Sequence, residues 1–182
     1  MWYLLLIGFT ALIFWPVAAE VPPDESRPCF EGAYYRKAVS SVDKWEGIET
    51  IVRLPVPLYD LSRVKPASGR PLDNASVYIG GHADEQEVDA GFTWSVIREK
   101  DGSVSSVGKA FRPFWRVTQW ANAPAEPRYY YYPGDVLRLA IRTTEKDKLT
   151  LEIEVLERTE ASRENLRALG TEDFDTSFTT TF

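Results

Sequence analysis

Two carboxylates and two arginines stand at spacings that could bind or cleave a sugar. Glu87 and Asp89 are two positions apart, and Arg112 and Arg116 follow, four positions apart. Side chains two or four positions apart on a strand point to one face, so each pair could share a surface. Paired carboxylates carry out glycoside hydrolysis, whereas arginines and carboxylates together can simply bind a polar ligand. The alternative is a solvated strand face whose ion pairs contribute only ~0.5 kcal/mol each.

Aromatic residues accompany these charges. Phe114 and Trp120 have the same parity as the two arginines, and the run Tyr129–Tyr132 is too long for all four rings to point inward. Exposed rings beside charged groups are typical of sugar sites, because the rings contact the C–H faces of a pyranose. The alternative is that the rings cover the ends of a sandwich. The predicted ligand-binding set is Glu87, Asp89, Arg112, Phe114, Arg116, Trp120, Tyr130 and Tyr132.

His82 is the only histidine of the chain and completes the catalytic candidates, which are His82, Glu87 and Asp89. With Glu85 and Tyr130 or Tyr132 it could act as an acid or a base, although a histidine beside two glycines is also typical of a loop. The acidic run that follows His82 could offer oxygens to Ca²⁺. That run lacks EF-hand spacing, so we predict no metal site and no cofactor beyond this possibility of calcium.

The elements that must position these residues begin with a hairpin. Apolar and polar residues alternate from Val88 to Val96, which predicts a strand, and Asp101-Gly102 predicts a two-residue turn with positive φ at both positions. Pro113 indicates an edge or a nearby bulge. The resulting register separates apolar from charged pairs. These pairs are Phe92 with Phe111, Val88 with Trp115, Val96 with Val107, and Glu87 with Arg116.

A second hairpin alternates over Leu137–Ile141 and Leu149–Val155. A three-residue loop, Glu145–Asp147, would place Leu139 opposite Ile153 and Arg138 opposite Glu154. Arg138 and Arg142 could then join the polar face of the first hairpin.

Further short strands are predicted at 32–39, 48–58 (an edge strand, because Pro55 and Pro57 lack N–H groups), 76–79 and 174–182. A helix is predicted from Ser162, as its N-cap, to Leu169, with Gly170 ending it. Many short strands with almost no helix predict an all-β fold, an antiparallel β-sandwich or jelly roll with one short C-terminal helix.

The N-terminal run Trp2–Trp15 is apolar or neutral, too short to span a bilayer, and followed by the small residues Val17 and Ala19. It predicts a signal peptide at 1–19, an extended lead-in at 20–31 and one β-sandwich domain at 32–182, in a secreted or periplasmic protein. No Lys or Arg precedes the run, so a retained anchor is the alternative, and this segment would be the sole membrane contact. Cys29 is the single cysteine, which excludes an internal disulfide. The net charge of −6 argues against non-specific nucleic-acid binding.

Between Ser76 and Leu156 the chain resembles the concanavalin A-like lectin and glucanase sandwiches of exported bacterial proteins. The resemblance lies in Val77-Tyr-Ile-Gly-Gly81, Glu87-Val-Asp-Ala-Gly91, the basic aromatic strand 111–116, and Tyr132-Pro-Gly-Asp135. It implies a carbohydrate ligand. Glucanases of this type carry Glu-x-Asp-x-x-Glu, whereas this chain has Phe92 at the position of the second Glu. The superfamily also includes jelly-roll polysaccharide lyases, which use Arg, Gln, His and Tyr.

The function predicted from these patterns is non-catalytic binding of a glycan or another extracellular ligand, such as a cell-envelope component, through a polar and aromatic sheet face. The alternatives are a carbohydrate-active enzyme, either a glycoside hydrolase or a polysaccharide lyase, and a purely structural surface protein.

Overall fold

Two antiparallel sheets of four strands each account for most of the chain that the computed structural model describes, which is residues 46–57, 64–65, 70–71, 75–83 and 86–182. These residues belong to one compact unit, Trp45–Phe182. The predicted signal peptide, lead-in, Cys29 and strand 32–39 lie outside the described residues. The elements are β1 Gly47–Arg53, β2 Val64–Lys65, β3 Arg70–Pro71, β4 Ser76–Ala83, β5 Gln86–Arg98, β6 Val104–Arg116, β7 Trp120–Asn122, β8 Val136–Glu145, β9 Lys148–Glu157, α1 Glu160–Ala168 and β10 Phe178–Thr181.

Sheet A has the strand order β1-β8-β9-β10, and sheet B has the order β4-β5-β6-β7; β2 and β3 form a separate pair. Alternate residues of both sheets meet in a core that includes Phe92 and Phe111 of sheet B and Leu139, Leu151 and Ile153 of sheet A. Burying one face of each sheet against the other satisfies the period-two pattern of the strands. The predicted antiparallel β-sandwich with one short helix is confirmed.

The first hairpin differs from its prediction at the turn. Gly102 N donates to Glu99 O and Glu99 N donates to Ser103 O, so the loop has three residues, with only Gly102 in the left-handed region (φ 86°). The two-residue turn predicted at Asp101-Gly102 is therefore wrong. Asp101 instead accepts from the hydroxyl and the backbone N–H of Ser103, and these bonds lower its pKa.

A wide bulge then separates the turn from the rest of the β5–β6 ladder. Between the pairs Arg98–Val104 and Val96–Lys109, β5 has one intervening residue and β6 has four. Phe92 consequently pairs with Pro113, and Asp89 rather than Glu87 pairs with Arg116. From Val96–Lys109 to Asp89–Arg116 the displacement from the predicted register is two residues, so these side chains keep their predicted faces. Nearer the turn, Arg98 pairs with Val104, one residue from the predicted register.

The second hairpin has the predicted register, with Leu139 opposite Ile153 and Arg138 opposite Glu154. Its tip is tighter than predicted: Glu145 pairs with Lys148, and an irregularity precedes this pair. Asp147 adopts φ 61°, a conformation that aspartate tolerates better than most residues.

Helix α1 begins earlier than predicted, because its N-cap is Thr159. The Thr159 hydroxyl accepts from Ser162 N at 3.0 Å, as N-cap threonines do. Ser162, the predicted cap, is buried within the first turn. Gly170, with φ 80°, ends the helix as predicted, in a Schellman arrangement in which Gly170 N donates to Arg167 O and Thr171 N to Leu166 O.

The strand predicted at 76–79 is confirmed and extends further, as β4 Ser76–Ala83, whereas the strands predicted at 48–58 and 174–182 are shorter than predicted. β1 is an edge strand, as predicted, but ends at Arg53, before its two prolines. β10 covers only Phe178–Thr181 of the predicted final strand. Among the described residues no helix is long and apolar enough to cross a membrane.

Candidate functional site

The outer face of sheet B carries most of the residues that the sequence singled out. Strand pairing arranges them in rows across β4, β5, β6 and β7. Alternation along each strand keeps these side chains on the side opposite to the core. The rows are Ser76–Thr93–Arg112, Tyr78–Gly91–Phe114–Asn122 and Gly80–Asp89–Arg116–Trp120.

An aromatic cluster lies at the centre of this face. Trp120 stacks flat on Phe114, with ring centroids 4.1 Å apart and planes 2° apart, and Tyr78 meets Phe114 edge-on at 6.2 Å. Phe114 is fully buried beneath these neighbours, whereas Tyr78 and Trp120 are 41% and 46% exposed. The cluster is therefore a fixed aromatic surface with two rings open to solvent.

Gly91 permits this arrangement. It lies between Tyr78 on β4 and Phe114 on β6, and a Cβ at Gly91 would stand 2.2 Å from Val77 O. A side chain there would push β4 away from β5, so glycine keeps the two strands close enough for the rings to meet across it.

Beside the aromatic cluster, Arg116 binds both carboxylates of β5. Its Nη2 lies 2.9 Å from Glu87 Oε2 and 2.5 Å from Asp89 Oδ2. The structure thus brings together the three charged residues that the sequence placed on one face. Because both oxygens contact the same nitrogen, they lie at most about 5.4 Å apart. This is closer than the ~6.5–9.5 Å between the carboxyl groups of inverting glycosidases and compatible with the ~5–5.5 Å of retaining ones.

Arg112 has a different environment. Thr93 lies opposite it on β5, and the bridge between Phe111 and Tyr131 sets Tyr130 beside it on the other side. Burial raises the pKa of the Tyr130 phenol, and the nearby Arg112 guanidinium partly opposes this rise. No described carboxylate forms an ion pair with Arg112, and its Nε is buried without a hydrogen-bond partner.

Tyr130 and Tyr132 are not on the open surface, contrary to their place in the predicted ligand-binding set. Both are 4% exposed and pack against Ile97, Ala110 and Leu166 in a second apolar cluster. The rings of a strand alternate between its two sides, and in this region both sides are covered. Tyr132 therefore cannot contact a ligand without rearrangement, and Tyr130 lies beside the face but beneath its surface.

The sequence allowed Arg138 and Arg142 to join this face, but the structure places both on the outer face of sheet A. Arg138 binds Glu154 at 2.7 Å and Glu49 at 3.1 Å; Arg142 also binds Glu49 and approaches Glu152 at 3.6 Å. Carboxylates on neighbouring strands thus compensate both arginines of sheet A.

The described residues give little information on the predicted catalytic role of His82 and on the predicted calcium site. The backbone of His82 pairs with that of Glu87 across β4 and β5, and the side chain of His82 lies outside the description. In the described part of the chain, no three or more His, Cys, Asp or Glu side chains are grouped to hold a metal. Of the acidic run proposed for Ca²⁺, Asp84 and Glu85 also lie outside it, whereas Glu87 and Asp89 bind Arg116.

Sequence reasoning missed Tyr78. Its signal was available, because Val77 and Ile79 alternate with Tyr78 as apolar residues do around an outward position. The short strand β7, which carries Trp120 across Phe114, gave no periodic signal.

Comparison with protein-family models, with curated proteins and with solved structures finds no match to this chain.

Proposed function

We propose that this protein is an exported, non-catalytic binding module whose ligand is a glycan held on the outer face of sheet B. The observation that carries the proposal is the flat stack of Trp120 on Phe114, with nearly half of Trp120 open to solvent, directly beside the Arg116 ion cluster. Export is supported by the apolar N-terminal run and its small-residue ending.

The aromatic cluster supplies what a sugar ring needs on one side. Phe114 holds the Trp120 ring in place from below, so little side-chain entropy is lost when a pyranose lies on it. Polarised C–H groups of a sugar favour the face of an aromatic ring. Tyr78, on the other side of Phe114, widens this surface in the direction of β4.

The polar neighbours supply hydrogen bonds for the hydroxyl groups. Arg116, Glu87 and Asp89 together offer donors and acceptors at the edge of the aromatic cluster. A few placed polar groups beside apolar surface are the general pattern of a small-ligand site.

Binding accounts for this geometry better than hydrolysis does. Arg116 Nη2 donates to one oxygen of Glu87 and to one oxygen of Asp89, so the two carboxylates are engaged in the same ion cluster. A hydrolase needs its two carboxyl groups to act on the scissile bond, whereas here both are held by Arg116.

A binding screen tests the proposal. Wild-type protein, Trp120→Ala and the control Ile51→Ala are measured against a panel of soluble neutral and acidic polysaccharides by affinity electrophoresis and calorimetry. Ile51 is 64% exposed on the outer face of sheet A, so its loss removes an exposed apolar side chain from the opposite side of the sandwich.

We expect wild type and Ile51→Ala to bind alike, and Trp120→Ala to bind about 10-fold more weakly, since stacking contributes ~0.5–1.5 kcal/mol beyond area burial. Absence of binding to every member of the panel, or equal binding by Trp120→Ala, would overturn the proposal. Release of reducing ends or of unsaturated products, lost in Glu87→Gln, would favour the enzyme alternative.

A further inference from the structure

The arginines on the two outer faces of the sandwich differ in how they are neutralised. On sheet A, Arg138 donates from Nε to Glu154, and Arg142 Nε lies 3.6 Å from Glu152. On sheet B, the Nε atoms of Arg112 and Arg116 are both buried without a partner, and Arg112 has no described counter-ion. Carboxylates thus compensate Arg138 and Arg142 on sheet A and Arg116 on sheet B, whereas Arg112 is left without a described counter-ion.

From this contrast we infer that the ligand is an acidic polysaccharide and that Arg112 binds its carboxylate or sulfate group. The inference rests on the proposed glycan-binding function and specifies the ligand of the same face.

The surroundings of Arg112 favour an external anion. Its neighbours across the strands are Thr93 and Tyr130, and its neighbours along the outer face of β6 are Ala110 and Phe114, all of them uncharged. The Nε of Arg112 is buried and therefore out of reach of a ligand, whereas its Nη atoms are not among the buried, unpartnered atoms. A carboxylate or sulfate would accept end-on from the two Nη groups of the guanidinium, which is one of the bidentate geometries that arginine favours.

Arg116 does not offer the same site. Its Nη2 is shared between Glu87 and Asp89, and their charges would repel a second anion. Asp89 lies four residues along β5 from Thr93, the partner of Arg112, which is about 14 Å at ~3.4 Å per residue. This backbone separation exceeds the ~8 Å Debye length at physiological salt, so salt screens part of the repulsion that the two carboxylates exert on an anion at Arg112.

Two other carboxylates act near this site. Glu126 and Glu99 both influence Tyr130, though less than Arg112 does. Glu126 is bound by Arg128 at 2.7 Å, and Glu99 belongs to the exposed hairpin tip. Among these charged groups, Arg112 has the largest influence on Tyr130.

The spacing from Arg112 to the aromatic cluster suits one saccharide chain. Arg112 and Phe114 are two residues apart on β6, which is about 7 Å along the strand. A sugar lying on Trp120 or Tyr78 would therefore bring an acid group of the same ring or of the next ring toward Arg112. The net charge of −6 opposes any polyanion at long range, so selectivity must come from this direct contact and not from bulk attraction.

Two matched pairs of probes test the inference: polygalacturonate with its methyl ester, and dextran sulfate with dextran. Each pair keeps the sugar backbone and changes the charge, and the two pairs distinguish a carboxylate from a sulfate. The proteins compared are wild type, Arg112→Gln, Arg112→Lys and the control Arg142→Gln. The control removes the same charge from a strand arginine on the outer face of sheet A. Melting temperatures establish that each variant is folded.

We expect wild type to bind at least one charged probe more tightly than its neutral partner. Arg112→Gln should weaken that binding about 10- to 100-fold, the range for a charge-assisted bidentate contact. The affinity of Arg112→Lys should lie between those of wild type and Arg112→Gln, because lysine keeps the positive charge but lacks the planar guanidinium that binds two oxygens at once. Arg142→Gln should bind as wild type does. If Arg112→Gln is unfolded, Arg112→Lys alone decides the result.

Equal binding of charged and neutral partners by wild type, or equal binding by wild type and the Arg112 variants, overturns the inference while leaving the glycan-binding function standing. Failure of wild type to bind any of these probes or any polysaccharide of the wider panel overturns both.

Discussion

Asp135 and Arg158 form an ion pair in which both side chains are fully buried, and replacing Asp135 with Asn removes one charge at nearly constant volume. Oδ2 of Asp135 accepts from Arg158 Nη1, Tyr132 N and Ser162 Oγ, each at 2.9 Å, and Oδ1 accepts from Thr159 N at 3.0 Å. An amide has one oxygen, so in either orientation its NH₂ group would face at least one of these donors. Arg158 would also lose its counter-ion.

Removing one partner of a buried ion pair costs about 3–5 kcal/mol. Since the free energy of unfolding of a domain is typically ~5–15 kcal/mol, we expect Asp135→Asn to lose about a fifth of the stability or more. The melting temperature should fall by roughly 6–20 °C, at ~2–4 °C per kcal/mol for a domain of ~150–250 residues. Arg158 also donates to Tyr130 O at 2.8 Å, so the substitution should loosen the segment beside Arg112.

Urea and thermal unfolding measure this loss. Glu157→Gln is the matched control, since it breaks an exposed ion pair, with Arg53 at 3.3 Å, by the same kind of change; we expect it to cost under ~1 kcal/mol. The double variant Asp135→Asn/Arg158→Met should be less destabilised than the sum of the single variants. If Asp135→Asn is no more destabilising than Glu157→Gln, the buried pair does not stabilise the fold as argued.

Three further outcomes are expected. Thr159→Ala should lower the free energy of unfolding by about 1 kcal/mol through loss of the N-cap, and an unchanged urea midpoint would contradict this. Gly91→Ala should lower the free energy of unfolding by about 1–3 kcal/mol, because the added methyl group meets a β4 backbone oxygen. Gly81→Ala, which has open space around it, should lower it clearly less. Equal losses of stability in the two variants would rule out the steric explanation. Burial raises the pKa of Tyr131 and of Tyr132 above the ordinary 10.0, so their contribution to stability is complete below pH 10 and is lost as the pH rises further, because the unfolded chain then releases more protons. In the folded protein, Tyr131→Phe and Tyr132→Phe should therefore leave the phenolate absorbance that rises in step with free tyrosine unchanged; a loss of part of that absorbance in either variant would refute the burial.

The sequence was sufficient to predict which residues share a face. Phe92 and Phe111 reach the core although the predicted register is two residues out, because burial enforces alternation and an even displacement preserves it. The exact pairs were not predictable. Asp101-Gly102 fits two turn types. No local sequence pattern predicts the bulge in which β6 has four residues, Ser105 to Gly108, opposite a single residue of β5.

Long-range pairing explains the remaining differences. The placement of Arg138 and Arg142 depends on β1 pairing with β8 and supplying Glu49, a contact between distant parts of the chain that strand periodicity does not encode. The burial of Tyr130 and Tyr132 depends on the packing of α1 through Leu166. Tertiary contacts of this kind override local pattern.

The most direct test of the account is an NMR titration of the folded protein with the polysaccharide that binds best. We predict amide shift changes concentrated in Glu87–Thr93, Arg112–Arg116 and Trp120–Asn122, with little change across β1, β8 and β9. Shift changes centred on sheet A, or none on sheet B despite saturable binding, would contradict the claim that the aromatic and arginine-bearing face of sheet B holds the ligand.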